Sequence, residues 1–287
     1  MDKNIKIATR QSFGEALLEL GKKNKDVVVL DSDLSGATKT DIFAKEFPER
    51  FFDMGIAESD MIGTAAGLAA SGKVPFAATF AVFATGRCYD QIRASVAYPR
   101  LNVKICGTHA GITVGEDGAT HQMLEDIGLM RGMPNMIVLT PSDKYSTIWA
   151  VEQAYKTKGP VYIRLARLAT PVIYSDKTSF DGLSYTHGKG NDATIFATGV
   201  EVAQALLAQE ELEREGVDIR VVDMLSIKPI DEEVILKCSK ETKCLISLED
   251  HSVINGLGSS IADVLIEKNP VMLHKIGMQD CWPEWKG

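Results

Sequence analysis

At 287 residues the chain is long enough for two domains of ordinary size, and 45% hydrophobic with 24% charged content is a globular rather than a disordered composition. The formal net charge of -8 argues against a nucleic-acid surface and gives no general pull on phosphorylated molecules, so any anion site must be built locally from arginine, histidine and helix N-termini. No apolar run approaches the roughly 20 residues that span a bilayer; Cys88, Cys106, Cys238, Cys244 and Cys281 lack Cys-x-x-Cys spacing and follow no signal peptide, which predicts reduced thiols in a cytoplasmic protein.

In chain order, Ser12-Phe13-Gly14-Glu15 reads as a capping box that opens the first helix. Apolar runs at 27–31, 74–79, 103–107, 136–140 and 161–164 read as buried strands separated by helix-length stretches, the rhythm of an α/β domain around a mostly parallel sheet. After the first of them, Gly55-Ile56-Ala57-Glu58 sets one carboxylate at the mouth of a glycine-spaced apolar helix that runs on to Ala70. Gly63 and Gly67 leave one face of that helix without side chains, so another backbone can approach it. Alone, Glu58 reads as a first-turn acid complementing the helix dipole.

Pro141-Ser142-Asp143 starts a further helix that runs to about Tyr155. From Thr170 periodicity is lost until about Asn191, where Ser, Asp, Thr, Lys and Gly collect. Alternation then resumes with a strand at 193–197, a helix from 200 to about 215, a strand at 219–223, a Lys228-Pro229-Ile230-Asp231 turn into a helix, a strand at 244–248, a helix after Gly256 and a strand at 271–276. The fold class is therefore α/β, with two doubly wound domains at 1–172 and 191–287 joined by a linker at 173–190.

Several residue groups stand out for their chemistry. Two of the five histidines, His109 and His121, fall in one loop with Glu116, Asp117, Gly111, Gly115 and Gly118, which favours a binding site. The two histidines are too far apart, without a second ligand pattern, to predict a metal. Phe80 and Phe83 read as core packing at i, i+3 or as an aromatic wall, and Asp33 after the first strand as a turn residue or a ligand contact. Arg10 and Arg167, with Arg164 as an alternative to the latter, have the planar fork that pairs phosphate oxygens.

Three strings carry a resemblance: G-I-A-E-S-D-M-I-G-T-A-A-G-L-A from Gly55, T-F-A-V-F from Thr79, and T-H-A-G-I-T-V-G-E-D-G-A-T-H-Q from Thr108. From about residue 5 to 280 the chain resembles the C-terminal part of a transketolase, its pyrimidine-binding domain followed by its C-terminal domain. That resemblance implies thiamine diphosphate as cofactor, with Glu58 donating a hydrogen bond to N1′ of the aminopyrimidine and favouring the imino tautomer that takes the proton from the thiazolium C2. It implies an apolar pocket that raises the affinity of Glu58 for protons, walled by Phe80 and Phe83, with Phe80 stacking on the pyrimidine. Asp33, Leu34 and Ile56 would also touch the cofactor. His109 would bind near the phosphate end of a ketose phosphate, Asp117 the hydroxyl beside the carbonyl, His121 the reacting hydroxyls, and Arg10 and Arg167 the phosphate, so that Glu58, His109 and His121 are the catalytic set.

The chain departs from the family in three respects. Gly86 stands where many transketolases have a tyrosine, leaving Tyr89 as a substitute. The tail Trp282-Pro283-Glu284-Trp285-Lys286 replaces the usual Phe-Gly-x-Ser-Gly; codons read one base later permit Gly-Gln-Ser-Gly-(Lys or Arg), so either the tail is altered, which resequencing tests, or Trp282 and Trp285 form a partner contact. No Gly-Asp-Gly occurs to hold the diphosphate and its Mg2+ (or Ca2+ or Mn2+). The expectation is thus one half of a split transketolase, with that site on an N-terminal partner subunit in a two-plus-two heterotetramer. The reaction would move a two-carbon ketol unit from a ketose phosphate to an aldose phosphate. Alternatives are a 1-deoxyxylulose-5-phosphate synthase-like enzyme, a 2-oxo acid dehydrogenase β chain, or a non-catalytic regulatory subunit.

Overall fold

A computed structural model describes residues 1–282. The chain opens with β1 (Asp2–Ala8), α1 (Thr9–Lys23), β2 (Val27–Asp31), α2 (Ser35–Thr38), α3 (Asp41–Glu46), β3 (Phe51–Asp53), α4 (Glu58–Ala70) and β4 (Val74–Phe80). Then come α5 (Tyr89–Gln91), flanked by π-helical turns at Val82–Arg87 and Ile92–Ala97, β5 (Lys104–Thr108), α6 (Asp126–Gly132), β6 (Ile137–Leu139), α7 (Lys144–Lys156) and β7 (Val161–Arg164). The rest comprises β8 (Ala169–Val172), β9 (Tyr185–His187), β10 (Ala193–Ala197), α8 (Glu201–Arg214), β11 (Ile219–Asp223), β12 (Ser226–Lys228), α9 (Glu232–Glu241), β13 (Cys244–Ser252), α10 (Leu257–Lys268) and β14 (Leu273–Met278).

The first sheet has the order β12-β6-β7-β5-β4-β2-β3, parallel except where β12 joins β6. Its central strands are buried on both faces, hence their β-branched runs rather than strict alternation. Val27 and Val29 enter one core with Phe13, Leu17 and Val151, whereas Val28 and Leu30 enter another with Met61, Ile62 and Ile105. The second core continues through Met224, Leu257 and Ile261, so the two halves share apolar packing. The second sheet, β14-β13-β10-β11-β9, is parallel but for β9, and β1 pairs antiparallel with β8 in a small ribbon.

Beyond the added strands β1, β3 and β8, four features differ from the sequence reading. The first helix starts at Thr9, not at Ser12, which lies buried inside it; the Thr9 hydroxyl accepts the Ala166 N–H at 2.8 Å, so a tertiary bond sets the start in place of the local capping box. Within the expected linker, Tyr185–His187 forms β9. β13 runs on past Leu248 to Ser252. Finally, β12 crosses from the C-terminal half to edge the first sheet, too short a strand to have a periodic signature. By contrast Asp143 caps α7 with a capping box, and Asp231 caps α9. Trp282 is 64% exposed, and Trp285 lies outside the described residues.

Candidate active site

The chemically distinctive residues converge at the C-terminal ends of the parallel strands, where open α/β sheets bind their ligands. Asp33 follows β2, Phe80 ends β4, His109 follows β5, Arg167 follows β7, and the turn after β3 leads into Glu58. Asp53 ties two of these turns together, its Oδ1 accepting the N–H groups of Asp33 at 3.1 Å and Gly55 at 2.9 Å. Asp33 itself is exposed in a left-handed conformation, and Leu34 donates its N–H to buried Asp31 at 2.7 Å. Ile56, 79% exposed, stands beside them on the surface.

Glu58 is the first residue of α4 and 3% exposed. Its surroundings differ from the all-apolar pocket expected: Arg87 Nη1 donates to both carboxylate oxygens, at 2.8 and 2.7 Å. Arg87 ends a π-helical turn, and its guanidinium lies over the Phe83 ring, 4.6 Å from its centroid, four residues on from it and so on the same face. Sequence reasoning passed over Arg87, although its i, i+4 spacing from Phe83 was a signal for it. Tyr89, the candidate substitute for the missing tyrosine, packs against the core instead.

The rings form a cluster. Phe80 and Phe83 lie nearly parallel with centroids 5.9 Å apart, His109 stacks on Phe80 at 3.8 Å, and His121 meets both phenylalanines edge-on at 6.2 and 5.5 Å. The buried Phe80 ring is thus already engaged by His109, and the half-buried Phe83 lies between Phe80 and the Arg87 guanidinium. His109 adopts a left-handed backbone with φ of 57°, unusual for a non-glycine residue and a mark of a constrained site.

Its tautomer follows from its partners. Arg10 Nη1 can only donate, at 3.2 Å, so His109 Nε2 accepts and Nδ1 carries the proton toward Thr108 Oγ1 at 3.0 Å. Burial first, then the Arg10, Arg167 and His121 charges, depress the imidazole pKa to about 3, so His109 is neutral at physiological pH. It serves as an oriented acceptor rather than an acid.

Arg10 and Arg167 line one cleft of about 520 Å³ with Ile112, Thr113 and Gly115. Arg10 also donates to the Ala37 carbonyl at 2.8 Å, and Arg167 to that of Val114. Burial and the Arg167 charge lower the Arg10 pKa, the sign of an electropositive pocket suited to an anion. Arg164 is excluded from it: 5% exposed, it pairs with Asp126 at 2.8 Å and reaches the Asp250 carbonyl of the second half at 2.6 Å. His121 bonds Thr120 Oγ1 at 2.9 Å, and Asp117 stands exposed at the head of the Gly118–Thr120 turn. A buried carboxylate at a helix start beside a half-buried aromatic ring fits an aminopyrimidine, and the two-arginine cleft fits a phosphate.

Residues 5–172 match the family described as transketolase, pyrimidine binding domain, and 184–284 that described as transketolase, C-terminal domain. The chain is 51% identical over 279 residues to a putative transketolase C-terminal section from Methanocaldococcus jannaschii, covering 94% of this chain and 86% of that one. It is 43% identical over 276 residues to a 6-deoxy-6-sulfo-D-fructose transketolase subunit from Clostridium sp. (strain MSTE9), covering 96% and 86%. Among solved structures, one described as a split gene transketolase, inactive beta4 tetramer, superposes with a TM-score of 0.91 at 50% identity, covering 98% of this chain and 91% of that one. With both domain families matched in order and relatives that are themselves C-terminal sections or subunits, the chain belongs to the transketolase family and corresponds to the C-terminal half of a split transketolase.

Proposed function

We propose that the chain is the C-terminal subunit of a thiamine diphosphate-dependent transketolase, transferring a two-carbon ketol unit from a ketose phosphate to an aldose phosphate in the cytoplasm. The observation that carries this reading is the convergence of buried Glu58 and the Phe80, Phe83, His109 and His121 rings beside the Arg10 and Arg167 cleft. When bound, thiamine diphosphate supplies a stabilised carbanion equivalent. Glu58 holds the proton shared with the pyrimidine N1′, Phe83 and Phe80 wall the ring, and Asp33, Leu34 and Ile56 border it. Arg10 and Arg167 fix the substrate phosphate bidentately; as Arg10 turns from His109 Nε2 to the phosphate, the lone pair of neutral His109 is freed to accept from the donor sugar, and Asp117 and His121 orient its hydroxyls. For Glu58 to engage the pyrimidine, Arg87 has to release at least one of its two contacts.

The diphosphate and its Mg2+ belong, in this reading, to an N-terminal partner subunit in a two-plus-two assembly. Support comes from two relatives being a C-terminal section and a subunit, and from the face of α4 around Gly63 and Gly67, where a Cβ would find no atom of the described residues within 4 Å beyond its own helix and chain neighbours. Exposed Ile56, Phe52 and Tyr98 are further apolar surface for that partner. Domain limits at 172 and 191 belong to the same proposal. The test is to use the tagged chain as bait in lysate of its own source and to assay the eluate for ketol transfer with added thiamine diphosphate and magnesium. A stoichiometric partner carrying Gly-Asp-Gly, with activity in the pair, supports the proposal; an inactive eluate with no such partner overturns it.

A further inference from the structure

The loop from His109 to Met123 carries the proposed substrate ligands, yet much of what holds its two stems comes from the C-terminal half of the chain. The Ile112 N–H donates to Asp250 Oδ1 at 2.9 Å, the Leu124 carbonyl accepts the Ser252 N–H at 2.9 Å, and the Gly128 N–H points to His251 Nε2 at 3.4 Å. All three anchors lie on the part of β13 that runs beyond the expected strand end at Leu248. The stems themselves meet where Gly111 donates its N–H to the Met123 carbonyl at 2.8 Å, and Gln122 Nε2 bonds the Ile112 carbonyl at 3.2 Å.

Asp250 is central to this clamp. It is buried, its other oxygen Oδ2 has no hydrogen-bond partner among the described residues, and its own carbonyl is gripped by Arg164 Nη2 at 2.6 Å. A Cβ on Gly111 would overlap the Asp250 carboxylate, so the loop closes on this side chain with no room between. A buried carboxylate with one oxygen unsatisfied is unfavourable for folding alone. We propose that Asp250 is a positioning residue for the substrate loop: by holding the Ile112 N–H it fixes the turn that aims His109 at Phe80 and Arg10 and sets Thr113 in the two-arginine cleft. This rests on the reading of that loop as the donor-sugar site.

Two readouts separate the inference from that reading. In the chain alone, hydrogen exchange compares wild type with Asp250→Ala, Asp250→Asn and Asp263→Ala. Asp263 pairs with Arg131 at 2.5 Å across the same junction of the two halves without touching the loop. The expected result is a rise of about tenfold or more in exchange of the Ile112 amide and its neighbours in Asp250→Ala, with Asp250→Asn, which keeps an acceptor oxygen, close to wild type and Asp263→Ala unchanged in the loop. In the assembled enzyme, Asp250→Ala should raise the donor KM by about tenfold with cofactor affinity unchanged, and Asp250→Asn should restore it. Unchanged loop exchange in Asp250→Ala, or equal loosening by Asp263→Ala, overturns the inference. So does a loosened loop with an unaltered donor KM. A wild-type pair with no ketol transfer defeats the reading of the loop, while exchange still decides whether Asp250 holds it.

Discussion

Removing Asp126 should be among the costliest single changes in the chain. Its carboxylate is fully buried, and Oδ2 accepts both Arg164 Nε at 2.8 Å and Tyr162 OH at 2.7 Å. Burial alone would lower the proton affinity of Arg164, but the Asp126 and Asp250 charges outweigh it and the net shift is upward, so the guanidinium stays charged. Asp126→Ala therefore leaves a cation in the interior whose one remaining hydrogen-bond acceptor among the described residues is the Asp250 carbonyl, with the Asp250 charge as partial compensation, a loss of about 3 kcal/mol. Tyr162→Phe removes one donor from a carboxylate that Arg164 still pairs, and falls at the lower end of the range for bonds to charged groups, about 1.5 kcal/mol. The double variant Asp126→Ala/Arg164→Met removes both charges and should recover most of the single-variant loss, ending within about 2 kcal/mol of wild type. Urea unfolding of the four proteins, compared at common slope, measures each term. An Asp126→Ala loss under about 0.5 kcal/mol, the range of ordinary surface changes, would refute the assignment of this pair as a buried ion pair.

Other consequences follow from particular residues. Gly67→Ala should stabilise the isolated chain by about 1 kcal/mol, because its Cβ would meet nothing, whereas Gly67→Leu should leave the chain folded but abolish co-sedimentation with the partner; retained assembly in Gly67→Leu would move the interface elsewhere. Arg87→Ala leaves the buried Glu58 carboxylate without its cation and, with the half-exposed Arg87 end of the pair screened by solvent, should cost about 1–3 kcal/mol in thermal or urea unfolding, while the assembled enzyme should keep its turnover; lost turnover with cofactor affinity intact would make Arg87 part of the working site. Burial pushes the pKa of Asp223 from 3.8 to about 7, against hydrogen bonds from Ser142 and Tyr174. The folded state then holds a proton that the unfolded chain has released between those values, so wild type should lose stability relative to Asp223→Asn as pH rises from about 4 to 7; a flat difference in unfolding free energy would contradict it.

How far the sequence could be read depended on whether each feature is local. The strands at Val27–Asp31 and Val161–Arg164 and the start of α4 at Glu58 carry their own signals, a β-branched run or a glycine-spaced helix after a turn. The family motifs likewise brought Phe80, Phe83, His109, His121, Arg10 and Arg167 into one region, where ring contacts and a shared cleft join them. What stayed hidden is set by contacts distant in sequence. Thr9 overrides Ser12 as the helix start through Ala166, and Arg164 differs from Arg167 three residues away only because Asp126 and the Asp250 carbonyl draw it inward. Asp250 reaches the loop across 138 positions, which no local pattern announces. Arg87 was locally legible, but its partner Glu58 lies 29 residues away and neither residue alone implies the pair.

The most direct test of a shared active site is a titration. Increasing amounts of the chain are added to a fixed amount of a partner carrying the diphosphate-binding domain, with thiamine diphosphate and magnesium present, and ketol transfer is measured for wild type and for Glu58→Gln. The wild-type chain should raise activity from nothing to a plateau that breaks at one chain per partner, and Glu58→Gln should assemble to the same point with most turnover lost. Activity of the chain without a partner, or a Glu58→Gln pair as fast as wild type, would contradict the account.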